Sequence, residues 1–290
     1  MQRVQYTYAD DEIVTNYHDA VITGSDLNLL ERRAEWLNGA CLHFYFTLLA
    51  RNQKEKMDQA ENEGTLEGLA AVKPTTNVAS KDYFIDPIVT SFFMHQCNDE
   101  EDAKDLVSCL PFPKVSDGSA ERFGRVFIAV SDNMAKGSDY QTPGLGSHWS
   151  LLVTRVSLGG VEYYHFDSMK KSGNFVAAQD IAVKLSRYVY PDVKLETKRS
   201  NSSSSATNPI VQACATPYQA NGYDCGVHVL GAAKIFANIP PETPTEALEQ
   251  ALKQGMGDDP SKYCAALRQE IASAIREVAE PERTATIMSS

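Results

Sequence analysis

Gln219-Ala-Asn-Gly-Tyr-Asp-Cys-Gly226 runs without a break into Val227-His-Val-Leu-Gly-Ala-Ala-Lys-Ile-Phe236, a loop of turn formers followed by an apolar stretch. The stretch is too uniformly apolar for a surface helix and predicts a buried one, with Cys225 at its N-terminus. Unpaired N–H groups and the helix dipole favour negative charge at that end, so the setting favours thiolate over thiol. Asp224 is placed to cap the helix. A thiolate at a helix start is one part of an acyl-transfer site; the others are a base, a carboxylate that orients it and an oxyanion donor.

A hairpin supplies two of these. His148 opens the alternating run Trp149-Ser-Leu-Leu-Val153, and Asp167 closes Val161-Glu-Tyr-Tyr-His-Phe166, with a turn at Leu158-Gly-Gly160 between. Antiparallel pairing brings the start of one strand beside the end of the other, which places the His148 imidazole near the Asp167 carboxylate. Asp167 then holds the base in the required tautomer. Gln219, in the loop ahead of Cys225, can donate its amide to an oxyanion together with the Cys225 N–H. This chemistry needs no metal or organic cofactor. Other single candidates read as structural. His43 and His228 lie in apolar helical runs and are expected to be packed, Cys214 to be a small buried hydrophobe, and His165 is open between packing and function. His95 and Cys97 lack a second pair at zinc spacing, and Gly144-Leu-Gly146 lacks the third glycine of a dinucleotide loop.

In these motifs the chain resembles the Ulp/sentrin-specific cysteine proteases, and within them it is most similar to the small deneddylases. The resemblance rests on Gly146-Ser-His-Trp-Ser-Leu-Leu-Val153, Tyr164-His-Phe-Asp-Ser168, Asn221-Gly-Tyr-Asp-Cys-Gly226 and Val126-Phe-Ile-Ala-Val-Ser-Asp-Asn133. Asp26-Leu-Asn-Leu-Leu30 and Trp36-Leu-Asn-Gly-Ala-Cys-Leu-His-Phe-Tyr-Phe46 extend it to the N-terminal part. It implies His148, Asp167 and Cys225 as the catalytic group, with Gln219 at the oxyanion, and cleavage after the C-terminal Gly-Gly of a ubiquitin-like modifier of the Nedd/Rub type. It also implies Trp36 and Trp149 as walls of a tunnel that admits only glycine, which has no Cβ. Gly39 departs from the family, which has an acidic residue there that touches the modifier. The stretches 50–82 and 198–209 look like insertions. Related readings are a SUMO-specific protease, an acetyltransferase-like effector with a similar His, acid and Cys set, and an inactive modifier-binding module.

The 290 residues, 43% hydrophobic, suffice for one large core, and no linker divides them. The expected arrangement is a protease domain over residues 1–240, with residues 241–290 as a helical extension packed on it and frayed at the end. A net charge of -11 argues against a nucleic-acid partner. Six irregularly spaced cysteines and no visible leader argue for free thiols in cytoplasm or nucleus, and no apolar run is long enough for a membrane span. A monomer is expected. Helical periodicity predicts helices over 26–49, 84–106, 175–190, 245–254 and 260–278, and strands over 125–130, 193–197 and 212–216 besides the hairpin. The whole is an α+β fold, a central mixed sheet flanked by helices with the thiol at a helix start and the His and Asp on strands. The Gly-containing loop 136–146 leads into His148 and is expected to gate the tunnel.

Overall fold

The computed structural model describes residues 7–66, 81–97, 99–110, 112, 123–135, 146–157, 160–170, 172–191 and 209–289. Most of the loop 136–146, the expected strand 193–197 and the serine-rich run 198–208 lie outside the described residues.

The elements follow in the order β1 (Ile13–Tyr17), β2 (Ala20–Thr23), α1 (Gly24–Glu31), α2 (Gly39–Leu66), β3 (Lys81–Ile85), α3 (Pro87–His95), α4 (Glu100–Cys109), β4 (Phe123–Ser131), β5 (Trp149–Ser157), β6 (Gly160–Phe166), α5 (Asn174–Tyr188), β7 (Val211–Cys214), α6 (Cys225–Phe236), α7 (Thr245–Met256) and α8 (Pro260–Ser289). The main sheet has the order β3-β4-β5-β6-β7. Its outer pairs, β3 with β4 and β6 with β7, are parallel, and the central β4, β5 and β6 are antiparallel.

Alternation along the central strands feeds two cores. Phe127, Ala129, Leu151, Val153, Tyr164 and Phe166 face a core shared with α2, α6, α7 and α8. Val126, Ile128, Val130, Leu152, Val161 and Tyr163 face a second one shared with α3 and α5. A sheet covered on both faces needs apolar side chains at successive positions, which explains why Val126-Phe-Ile-Ala-Val130 is continuously apolar rather than alternating.

Two expected helices divide. The periodic stretch 26–49 is interrupted between Glu31 and Gly39: Thr23 and Asp26 form a reciprocal cap at the start of α1, and after the break the Asn38 side chain accepts from the Cys41 N–H at 3.1 Å to start α2. The stretch 84–106 begins as strand, because Tyr83, Phe84 and Ile85 pair with Val126, Phe127 and Ile128. A new helix starts at Pro87, capped by Asp86, whose carboxylate accepts from the Ile88 N–H at 2.8 Å. Asp99 caps α4 in the same manner. Residues 50–66 of the first expected insertion continue α2, and its last two residues, 81 and 82, begin β3. The small hairpin β1–β2 was not anticipated. Its turn residues His18 and Asp19 have φ of 48° and 73°, a conformation that glycine and asparagine advertise better.

Candidate active site

The hairpin register makes the first half of the site. Leu151 pairs with Phe166, so His148, just ahead of β5, faces Asp167, just after β6. His148 Nε2 lies 2.6 Å from Asp167 Oδ1. The second carboxylate oxygen takes the Ser172 hydroxyl, and the Met169 N–H donates to Oδ1 at 2.8 Å. Burial pulls the Asp167 pKa up, but the hydrogen bonds from His148, Ser172 and Met169 and the His148 charge hold it below the ordinary carboxylate value. The backbone ahead of β5 is held from α5: buried Asn174 places Nδ2 3.2 Å from the His148 carbonyl, 3.0 Å from the Val130 carbonyl and 3.0 Å from Ser150 Oγ. Ser150 Oγ is also 2.8 Å from His165 Nε2, which makes His165 a packed residue. Burial pushes its pKa down to about 4.

With Nε2 bound to the carboxylate, Nδ1 of His148 is the nitrogen left for the thiol; it is buried and has no nitrogen or oxygen partner. Burial would lower the pKa of this imidazole. The hydrogen bond to Asp167, its charge and the nearby Cys225 sulfur outweigh that and push it up to about 9. Cys225 itself is only 1% exposed, so a substrate reaches it through a narrow approach.

Cys225 begins α6 as the sequence predicts, with the ladder opening from His228 N–H to the Asp224 carbonyl at 2.9 Å. The expected cap is absent: the Asp224 side chain makes no bond to the helix. Its carboxylate points to Arg268 of α8, at 3.1 Å from Nε and 3.0 Å from Nη2, and to Asn221 Nδ2 at 2.8 Å. The first N–H groups of α6 are left without an acceptor from Asp224.

Gln219 is fixed on both sides of its amide. Oε1 accepts from the Ser168 hydroxyl at 2.7 Å, and Nε2 donates to the Asn221 carbonyl at 2.6 Å. The second amide hydrogen is the one that an oxyanion could take. Trp149 donates Nε1 to the Leu37 carbonyl at 2.9 Å, which brings it to the segment carrying Trp36, itself 46% exposed. A Cβ on Gly226 would lie 3.1 Å from Leu37 Cβ and 3.6 Å from Trp149 Cδ1, so only glycine leaves the three segments this close. Beside Trp149 lies a cavity of ≈ 260 Å³, lined by uncharged residues including Gly39, Ile88, Phe92 and Met134.

The sequence singled out His148, Asp167, Gln219, Cys225, Trp36 and Trp149. The structure hydrogen-bonds His148 to Asp167, sets Cys225 beside them at the start of α6, and gathers Gln219 and Trp149 around them. His228 is packed, as expected, and burial lowers its pKa to about 4. His43 is only partly buried and lies 3.7 Å from Asp86. Cys214 is half-buried rather than buried, at the end of β7. All six cysteines are free. Asn174, Ser172 and Arg268 were missed. The readable signal for Arg268 was a cation on the apolar stripe of Cys264, Leu267, Ile271 and Ile275.

The class that fold and chemistry define is a cysteine-type peptidase. Residues 142–271 match the Ulp1 protease family, C-terminal catalytic domain. It is 27% identical over 228 residues to NEDD8-specific protease 1 of Arabidopsis thaliana, covering 79% of this chain and 76% of that protein. It is 24% identical over 220 residues to the probable sentrin-specific protease 8 of Dictyostelium discoideum, covering 76% and 73%. In fold it is similar to a solved de-sumoylating protease, with TM-score 0.56, 14% identity and 93% and 90% coverage. SUMO protease Ulp1 with its catalytic cysteine oxidised to a sulfinic acid gives TM-score 0.52 at 15% identity, also with 93% and 90% coverage.

Proposed function

We propose that the protein is an isopeptidase that cleaves after the C-terminal Gly-Gly of a ubiquitin-like modifier, of the Nedd/Rub type. The observation that carries the chemistry is the His148 imidazole held at 2.6 Å by Asp167 and turned toward the thiol at the start of α6. Asp167 keeps the proton on Nε2, and Nδ1 takes the proton of Cys225. The thiolate attacks the carbonyl carbon of the modifier's last glycine, and the oxyanion is met by the Gln219 amide and the Cys225 N–H. As the C–N bond breaks, His148 returns the proton to the leaving lysine amine. Water, deprotonated by the same imidazole, then releases the modifier from the thioester.

The close packing of Leu37 and Trp149 on Gly226 draws the segments of Trp36 and Trp149 together beside Cys225, which supports a narrow approach suited to glycine with these tryptophans as its walls. The name of one relative, NEDD8-specific protease 1, supports the Nedd type. At Gly39, which lines an uncharged cavity, the acidic contact that the family makes with the modifier is not made by this position. Among the described residues no helix is long and apolar enough to cross a membrane.

The test is incubation with Nedd-type, SUMO and ubiquitin probes carrying a thiol-reactive electrophile at the terminal glycine. A covalent adduct with the Nedd-type probe, lost in Cys225→Ala, is the expected result. A SUMO or ubiquitin adduct alone would replace the modifier, and an adduct that persists in Cys225→Ala would overturn the nucleophile.

A further inference from the structure

Arg268 is 2% exposed on the face of α8 that otherwise carries Cys264, Leu267, Ile271 and Ile275. A guanidinium among such neighbours costs desolvation that good geometry must offset, and an apolar side chain would fill the same space at no such cost. Its hydrogen bonds show what it holds. Nη1 donates to the Leu29 carbonyl at 2.9 Å, on α1. Nη2 reaches the Glu35 carbonyl at 2.7 Å, one residue before Trp36. Nη2 also lies 3.2 Å from the Tyr223 carbonyl, and Nε and Nη2 share Asp224 Oδ1, immediately before Cys225. A single planar group thus joins the turn of the proposed nucleophile to the segment carrying a proposed tunnel wall.

The contact with Asp224 has a chemical consequence. An Asp at the start of a helix ordinarily turns its carboxylate onto the N–H groups of the first turn. Here that would occupy the donors an oxyanion needs and set a negative charge beside the thiolate. Arg268 draws the carboxylate away, and Asn221 holds its other oxygen at 2.8 Å while accepting from the Tyr223 and Asp224 N–H groups at 3.1 and 3.0 Å.

We propose that Arg268 is a positioning residue for this site: it keeps Asp224 off the N-terminus of α6, leaving those N–H groups to the thiolate and the oxyanion. The proposal rests on the reading of Cys225 as the nucleophile. Other charged or titratable groups around the turn are His148 and Asp167 on the hairpin side, His228 within α6, Cys264 on α8, Asp26 with Cys41 beyond Arg268, and Glu31, Arg33 and Tyr223 along the cavity that Asp224 and Arg268 also line.

The experiment compares wild type, Arg268→Gln, the double variant Arg268→Gln with Asp224→Asn, and Ile275→Ala, which weakens the same helix without touching the turn. Two quantities are read: the pH dependence of Cys225 alkylation by iodoacetamide, mapped by peptide mass spectrometry, and kcat and KM on the modifier substrate. In Arg268→Gln the alkylation midpoint moves to higher pH and kcat falls about 10- to 100-fold, with KM changed less than about threefold. The double variant recovers the midpoint and most of kcat, because the competing charge is gone. Ile275→Ala loses thermal stability and keeps the wild-type midpoint. A wild-type midpoint in Arg268→Gln, or a double variant no better than the single, overturns the proposal. Should Arg268→Gln fail to fold, Arg268→Lys takes its place, since it keeps the charge without the fork. Failure of both single variants to fold, with no recovery in the double, also overturns it, because Arg268 would then serve the fold alone. Alkylation needs no modifier, so a wild type inert to every probe would refute the proposed substrate while leaving this test intact.

Discussion

Arg125 and Arg268 sit at opposite ends of α6, both buried, both paired with a carboxylate and both donating to backbone carbonyls. At the C-terminal end Arg125 bonds Asp82 through Nε and Nη2, each at 2.8 Å, and reaches the Phe236 and Ile239 carbonyls at 2.9 and 2.8 Å. A cation there complements the helix dipole. At the N-terminal end a cation would oppose the dipole, and Arg268 is accommodated because Asp224 stands between it and the helix. The sheet itself makes the first pair, since the parallel register of β3 and β4 puts Asp82 directly opposite Arg125. A helix from the far end of the chain makes the second. One arginine therefore ties helix to sheet and concerns stability, while the other shapes the turn in which the proposed chemistry occurs.

That division can be broken by experiment. Replacing Arg125 with Leu leaves the Asp82 carboxylate buried and unpaired and should cost about 3–5 kcal/mol in urea unfolding. The kcat of the protein that remains folded should stay within about twofold, and a large loss of kcat would erase the contrast between the two ends. Gln219→Ala is the converse case. It should lower kcat by about 10²- to 10³-fold, roughly 2.7–4 kcal/mol at the oxyanion, and the stability loss should be smaller than for Arg125, about 1–3 kcal/mol from the buried Ser168 hydroxyl left without its acceptor. Gly226→Ala probes the crowded middle: Leu37 must give way to the new methyl, and the expected loss is about 1–3 kcal/mol of stability together with slower adduct formation by the modifier probe.

The most gradual effect is a slope with pH. His148 has a folded pKa near 9, above the ordinary value of 6.5, so its protonated form stabilises the folded protein. That contribution is fully present below pH 6.5 and is lost as pH rises through about 9, at no more than about 1.4 kcal/mol per pH unit. Wild type measured against His148→Asn over pH 6–10 should show the slope in the first and not the second.

Legibility followed the range of the interactions. His148 and Asp167 could be placed because an antiparallel hairpin makes neighbours of its two open ends by local pairing alone. Cys225 could be placed because a ten-residue apolar run after a turn has few other readings. The stretch 84–106 was misread as one helix because Phe84 and Ile85 fit a helical period as well as a strand, and only β4, far along the chain, supplies the partner that makes them β3. Asp224 was read as a cap by the ordinary preference of its residue type, and a guanidinium 44 residues later reverses that preference.

The sequence by itself determined the inventory of the candidate site and the chain order of its parts, because turns, alternation and helical periodicity are local properties. Only the tertiary structure decided which way the Asp224 carboxylate turns, how Gln219 is held and how closely Trp149 approaches the Trp36 segment. Each of these depends on groups from distant segments competing for one another in a space that water does not reach, where an unpaired charge or amide is costly and every partner is set by packing.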